Sequence, residues 1–318
     1  MLTAVQHQNE GTKFLRRFVD GQLASPLLLV GPEGVGKSFS VRQAAREAFC
    51  EGTKQEDCNC PSCRDVLKGS HPDLEIIRAG EKDIGIDEVR DLIKKSRVVP
   101  CVADLKCFVI DGADRFTVAA ANAFLKTLED PPANSHFFLI AEDRTRVLPT
   151  LRSRCGLVRY GYLPEDFILS VVQRYDQDSE DPTKALVYTR MGEGSVGCAV
   201  HYWGSGKIGL RDHVLRSLQL GVRRDIPGVF SAVDSLGDLE LTMKILGQLI
   251  HDLLMARVDP MRAIHLDRID EIQELGASHP VGVWVSLASK IEQLKYRNRS
   301  TRLNLAFHLK TLLVESFV

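Results

Sequence analysis

The sequence of 318 residues predicts an α/β fold in which a parallel sheet is followed by helical domains. Short, continuous apolar segments recur with helical patterns between them, and they lie at 27–30, 74–77, 106–111 and 136–141. Continuous apolar strands are typical of parallel sheets that are covered by helices on both faces. After Leu163-Pro164 the strand pattern ends, and the apolar residues are spaced as in helices up to the carboxyl terminus.

Helical spacing of apolar residues predicts the elements between these strands. We expect helices over 9–24, 38–50, a segment ending near 68, 86–96 and 117–129. Pro131 and Pro132 should end the last of these helices, since proline lacks the N–H that a helix requires. Beyond the sheet, residues 165–202 resemble a small helical unit, and 208–318 are helical throughout.

The first predicted strand leads into a phosphate-binding pattern, GxxxxGK[ST]. Glycines allow backbone N–H groups to turn inward, and with the start of the next helix they form a cradle for anions. Lys37 can then contact the outer phosphates, and the Ser38 hydroxyl can bind Mg²⁺. The predicted nucleotide contacts in this loop are Gly31, Glu33, Gly34, Val35, Gly36, Lys37 and Ser38.

Asp111, at the end of the third predicted strand, is the acid expected to support magnesium. Hydrolysing ATPases of this architecture place a glutamate directly after this aspartate to orient water, whereas here Gly112 follows. Asp114 and Glu142 are the alternative acids, and we interpret Asp114 as a turn residue. The pattern therefore predicts a nucleotide site that is poorly equipped for hydrolysis.

Four cysteines lie in a polar insert at about 50–63, with the spacing C-x7-C-x-C-x2-C. Thiolates from Cys50, Cys58, Cys60 and Cys63 would suit tetrahedral Zn²⁺ in a closed, structural site. His71 could replace one of them, and four thiols assembled by chance are the alternative. We expect the remaining four cysteines to fill the core, namely Cys101, Cys107, Cys155 and Cys198.

Composition limits the function classes. A formal net charge of −1 gives no global electrostatic case for nucleic-acid binding, so DNA contacts would need a local patch. No apolar run reaches the length of a membrane span, and the first ten residues do not resemble a secretory signal. We therefore expect a cytoplasmic protein without disulfides.

These motifs resemble the AAA+ subunits of the bacterial DNA polymerase III clamp loader, and most closely the delta-prime type. The residues that carry the resemblance are Gly31–Ser38, the cysteine insert, His71-Pro72-Asp73, 109–115, 122–132 and Leu151-Arg152-Ser153-Arg154-Cys155. The motor type, gamma/tau, has an Asp-Glu pair where this chain has Asp111-Gly112. The motor type also has an arginine in a Gly-Ser-x-Arg stretch, which here reads Gly194-Ser195-Val196-Gly197.

The resemblance implies three domains: a nucleotide-binding domain with the zinc insert (1–163), a small helical lid (164–206) and a helical collar (207–318). It implies ATP or ADP with Mg²⁺, structural Zn²⁺, and a stator subunit whose Arg154 acts as an arginine finger on a neighbouring ATPase. Partners would be gamma/tau-like motor and delta-like subunits, with sliding clamp and primer-template DNA contacted through the complex. The alternative is an active motor subunit or another AAA+ ATPase.

Overall fold

A computed structural model describes residues 7–80, 82–175, 181–204, 208–300 and 304–317. The chain divides into two compact units, Met1–Pro164 and Glu165–Val318. The predicted lid–collar boundary at 206–207 lies outside the described residues, so the three-domain division remains a prediction.

The first unit contains a five-stranded sheet in which all strands are parallel, in the order β2-β3-β4-β1-β5. The strands are β1 (Leu27–Val30), β2 (Leu74–Arg78), β3 (Lys106–Asp111), β4 (Ser135–Ala141) and β5 (Gly156–Arg159). The four predicted strands are confirmed. β5 was not predicted, since four residues that begin with glycine and end with arginine show no apolar run.

Helices cover both faces of this sheet. They are α1 (Asn9–Val19), α2 (Lys37–Ala48), α3 (Pro61–Lys68), α4 (Ile86–Ser96), α5 (Val118–Glu129) and α6 (Pro149–Arg152). Alternate strand residues face opposite ways: Leu29 packs in the core with α1 and α2, and Leu28 in the core with α4 and α5. Two hydrophobic cores therefore hold the ends of β1, β3 and β4 in position.

All the regular secondary structure among the described residues of the second unit is helical. Its helices are α7 (Glu165–Tyr175), α8 (Pro182–Met191), α9 (Val196–Gly204), α10 (Ile208–Val222), α11 (Ile226–Asp234), α12 (Leu239–Met255), α13 (Ile269–Ala277), α14 (Val281–Ser300) and α15 (Leu305–Glu315). Gln248 of α12 donates from Nε2 to the Met191 carbonyl at 3.1 Å, which links α12 to α8. None of the helices in the described ranges is long and apolar enough to cross a membrane.

Candidate nucleotide site, cysteine cluster and arginine segment

The phosphate-binding loop connects β1 to α2, and its backbone depends on glycine. Gly34 and Gly36 have positive φ angles of 70° and 96°. A Cβ atom on Gly31 would lie 2.2 Å from the carbonyl oxygen of Tyr160, so no side chain fits there. Tyr160 follows β5 and donates its N–H to the Val30 carbonyl at 2.8 Å. The unpredicted strand β5 thus brings Tyr160 against the start of the loop.

Lys37 is buried at the first residue of α2. Its Nζ donates to the carbonyl oxygens of Gly31 and Pro32, both at 2.6 Å. Burial lowers the pKa of Lys37, and the carboxylates of Glu142, Asp111, Glu33 and Asp114 oppose that shift in this order. The Lys37 ammonium group therefore lies inside the loop, under the influence of four carboxylates. A phosphate bound in the loop would replace its two hydrogen bonds to carbonyl oxygens.

Ser38 and Asp111 have the chemistry that a phosphate-bound magnesium ion requires. The Ser38 hydroxyl oxygen is buried and has no hydrogen-bond partner among the described residues. Asp111 ends β3, and burial raises the pKa of its carboxyl group while Lys37 opposes the shift. An unsatisfied hydroxyl and a carboxylate are hard oxygen donors, so both suit Mg²⁺.

Gly112 has a φ of 106°, in the region that favours glycine. A Cβ on Gly112 would lie 2.5 Å from the Cβ of Ala79, whose N–H donates to the Asp111 carbonyl at 2.8 Å. A side chain at this position is therefore disfavoured by both the backbone conformation and the contact with Ala79.

Asp114 and Glu142 are the remaining acids near the loop. Asp114 lies in a short 3-10 turn, its side chain is 7% exposed, and Oδ2 is 3.9 Å from Nη1 of Arg146. Glu142 is exposed and directly follows Ala141, whose carbonyl accepts the Gly31 N–H at 3.3 Å. Asp114 is thus a turn residue that faces Arg146, whereas Glu142 lies exposed at the edge of the phosphate-binding loop.

Gln8 is a site residue that sequence reasoning missed. It is buried, donates from Nε2 to the Gly161 carbonyl at 2.9 Å, and accepts the Gly161 N–H at 3.2 Å. A third, longer contact of 3.4 Å reaches the Val35 carbonyl. Gln8 therefore connects the start of α1, the phosphate loop and the end of β5, and a single glutamine before a helix gives no signal of this role.

The four cysteines of the insert come together as predicted. The Sγ atoms of Cys50, Cys58, Cys60 and Cys63 all lie within 4.8 Å of one another, and Cys50 Sγ is 3.5 Å from Cys58 Sγ. Tetrahedral zinc with Zn–S bonds of about 2.3 Å requires sulfurs about 3.7 Å apart. The cluster therefore has the size and ligand set of a structural zinc site, and the C-x-C spacing does not prevent it.

Arg46 of α2 connects this insert to the nucleotide domain. Its Nη2 donates to the carbonyls of Glu56 at 2.9 Å and Cys58 at 2.8 Å. His71 is not part of the cluster: its ring stacks on Phe49 with centroids 4.6 Å apart, and Nδ1 accepts the Asp73 N–H. Helix α2 thus begins with Lys37 of the phosphate-binding loop and, near its end, contains Arg46, which holds the insert.

The prediction for the other cysteines is wrong at Cys101, which is exposed, whereas Cys107 is buried and Cys155 and Cys198 are half-buried. Cys101 lies in a loop between α4 and β3, and its N–H donates to the Asp73 carboxylate at 2.7 Å. Asp73 also accepts the N–H groups of Val102 and Ala103. The backbone of the loop is therefore held inward, and the Cys101 side chain faces solvent.

Arg154 follows α6, two residues before β5, and its side chain is 30% exposed. Its Nε donates to Oε1 of Glu129 at 2.6 Å, and Nη2 contacts the same oxygen. Nη1 donates to the Thr150 carbonyl at 3.0 Å. The predicted finger is therefore at the surface, and in the free chain it is paired with the last residue of α5.

A parallel sheet, a phosphate-binding loop after β1 and a carboxylate at the end of β3 define the class of P-loop nucleotide-binding proteins. Residues 7–163 match the family described as DNA polymerase III, delta subunit. The chain is 30% identical over 260 residues to the delta' subunit of DNA polymerase III from Yersinia pestis, covering 79% of this chain and 71% of the relative. The chain belongs to the family of DNA polymerase III delta' subunits.

Other relatives match over shorter ranges. The delta' subunit of Escherichia coli K12 is 29% identical over 214 residues, covering 66% of this chain and 64% of that one. The tau subunit of Bacillus subtilis 168 is 35% identical over 130 residues, covering 40% of this chain and 23% of that one. The chain therefore spans less than two thirds of these two relatives.

One solved structure shares the fold across nearly the whole chain. It is a gamma subunit-related protein of DNA polymerase III from Thermotoga maritima, with a TM-score of 0.53 and 18% identity. The match covers 96% of this chain and 98% of the other. At this identity the likeness concerns the fold alone.

Proposed function

We propose that this chain is the stator subunit of a sliding-clamp loader in DNA replication, and that it works in the cytoplasm. In this role it binds nucleotide, hydrolyses it weakly or not at all, and supplies Arg154 to a nucleotide bound by a neighbouring ATPase subunit. Its partners would be motor subunits of the gamma/tau type and a delta-like subunit. The sliding clamp and primer-template DNA would be contacted through the assembled complex.

The observation that carries this proposal is Gly112. Hydrolysis requires a group that orients water, and the position after Asp111 has neither a carboxylate nor room for one. Gly197, in the first turn of α9, likewise lacks a side chain where motor subunits have an arginine. The intact phosphate loop beside these two glycines supports binding without efficient cleavage.

ATP or ADP with Mg²⁺ fits the loop. Lys37 and the backbone N–H groups of 33–36 would hold the phosphates, and Ser38 and Asp111 would hold magnesium. Zn²⁺ fits the four thiolates, where it would act as a structural ion because all four tetrahedral positions belong to the protein.

The test is a reconstituted assembly of this chain with its motor and delta-like partners. Arg154→Ala is expected to leave folding and assembly intact and to lower ATP hydrolysis and clamp loading, because the transition-state charge at one interface loses its arginine. Arg152→Ala, in the same segment, is the matched control and should keep the rate. An unchanged rate in the Arg154→Ala assembly would refute the finger role.

An active motor subunit is the second candidate because Glu142 lies exposed beside the phosphate-binding loop, where a carboxylate could orient water. The purified chain with Mg·ATP separates the two functions. Sustained turnover that Lys37→Ala abolishes would favour the motor, and binding without turnover would favour the stator.

A further inference from the structure

Glu129, Thr150 and Ser153 together occupy most of the hydrogen-bonding capacity of Arg154, and Glu129 takes two of its donors. A guanidinium group has five N–H donors. In the free chain Nε and Nη2 both face Oε1 of Glu129, and Nη1 faces the Thr150 carbonyl at 3.0 Å and the Ser153 hydroxyl at 3.3 Å. Two-point recognition of a phosphate through the Nε and Nη2 groups therefore requires Arg154 to release Glu129.

The position of Glu129 argues against a role in stabilising its own helix. It is the last residue of α5, where the helix dipole is negative and a carboxylate is unfavourable. Asp130 follows as a second acid, and the prolines at 131 and 132 end the helix without any help from Glu129. The favourable interaction that the structure gives to the Glu129 carboxylate is its pair with Arg154.

The ion pair between Glu129 and Arg154 is one in which a phosphate can replace the carboxylate. Glu129 is 51% exposed and Arg154 30% exposed, and ion pairs in contact with water contribute only about 0–1 kcal/mol. A phosphate group offers more negative charge and a geometry that arginine binds with two parallel hydrogen bonds. A phosphate that reaches Arg154 can therefore displace the carboxylate at small cost.

We infer that Glu129 is a latch that keeps Arg154 occupied in the free chain, and that the phosphate of a neighbouring subunit's nucleotide replaces the Glu129 carboxylate on assembly. This inference rests on the proposed finger role of Arg154. Glu129 is a positioning residue here, since it acts only through Arg154.

The latch itself is tested on the isolated full-length chain by nitrogen-15 NMR of the arginine Nε–H groups, with Arg154→Lys used to assign the signal. The Arg154 Nε–H should exchange slowly with water in the wild type and faster in Glu129→Ala. Asp130→Ala removes the adjacent acid of the same helix end and should leave this signal unchanged. Equal exchange rates in wild type and Glu129→Ala would overturn the inference without touching the proposed function.

The exchange is tested in the reconstituted assembly by measuring ATP hydrolysis at limiting concentrations of this chain. Glu129→Ala should raise the rate by up to about fivefold, the factor that corresponds to a surface ion pair. Glu129→Gln, which keeps the side-chain shape, should also raise it, and Asp130→Ala should not.

In an Arg154→Ala background the Glu129 variants should have no effect, whereas a purely structural role of Glu129 would persist there. A lower or unchanged rate for Glu129→Ala, with Arg154→Ala still impaired, would overturn the latch and leave the stator function standing. A normal rate for Arg154→Ala would overturn both.

Discussion

Nδ1 of His265 lies 2.7 Å from Oδ2 of Asp252, and both side chains are fully buried in the second unit. Asp252 also accepts the backbone N–H groups of Ile264 and His265 at 2.7 and 2.8 Å. One carboxylate on α12 therefore anchors the chain segment that follows it, between the two 3-10 turns Pro260–Arg262 and Leu266–Arg268.

This pair predicts an acid-dependent loss of stability. Hydrogen bonds, chiefly from His251 and His265, outweigh burial and lower the pKa of Asp252 to about 2. Because the folded-state pKa lies below the unfolded value of 3.8, the contribution is complete above about pH 4 and is lost as the pH falls towards 2. Linkage gives about 2 kcal/mol, measurable as the pH dependence of urea unfolding.

Asp252→Asn should remove this pH dependence and destabilise the second unit by about 1–3 kcal/mol, the cost of leaving buried hydrogen-bonding groups without their charged acceptor. Asp104→Asn, at an exposed loop position, is the control that should leave both quantities unchanged. If the stability of Asp252→Asn depends on pH as that of the wild type does, another group causes the pH dependence.

Introducing a glutamate at 112 should not create an ATPase. Gly112→Glu must place a side chain at φ 106° against Ala79, so we expect a loss of about 1–3 kcal/mol in the free energy of unfolding. Thermal unfolding and ATP turnover of the purified variant measure both effects. Turnover that disappears in Gly112→Glu/Lys37→Ala would contradict the prediction.

Glu142 should weaken the binding of triphosphate relative to diphosphate. It stands at the mouth of the loop near Lys37, where the outer phosphate of ATP adds negative charge. In water-like surroundings a like-charge contact costs about 1 kcal/mol, so Glu142→Gln should tighten Mg·ATP about two- to fivefold and Mg·ADP less. Isothermal titration gives both affinities.

Glu274→Gln, an exposed acid of the second unit, should change neither affinity. If Glu142→Gln tightens ATP and ADP equally, the carboxylate acts on the loop in general and does not discriminate between the nucleotides.

Removal of zinc should increase the flexibility of the cysteine insert and leave the sheet folded. The four thiolates are held to the domain mainly through Arg46 and α3, and the two cores around the sheet do not include them. After chelation, hydrogen exchange should increase over residues 50–70 and stay slow in β1, β3 and β4. Cys60→Ser should reproduce this pattern, whereas Cys101→Ser should not.

Metal analysis of the purified protein accompanies this measurement. If it finds no zinc, the metal assignment is wrong. If chelation unfolds the whole first unit, the insert is not peripheral.

The sequence predicted those parts of the fold that produce a recognisable pattern in consecutive residues. Apolar runs located β1 to β4, and the glycine-lysine-serine pattern located the loop, because both depend on neighbouring residues along the chain. The sequence did not predict β5, Gln8 or the pairing of Arg154 with Glu129. Each depends on contacts between distant segments, as when Gln8 meets Gly161 across 153 residues of chain.

The close approach of Gly112 and Ala79 also limits which substitutions position 112 can accept. A substitution at 112 meets the methyl group of Ala79 first, so Ala79 would have to shrink or shift before any acid at 112 could be tolerated. The positive φ of Gly112 and the methyl group of Ala79 therefore both disfavour an acid at this position.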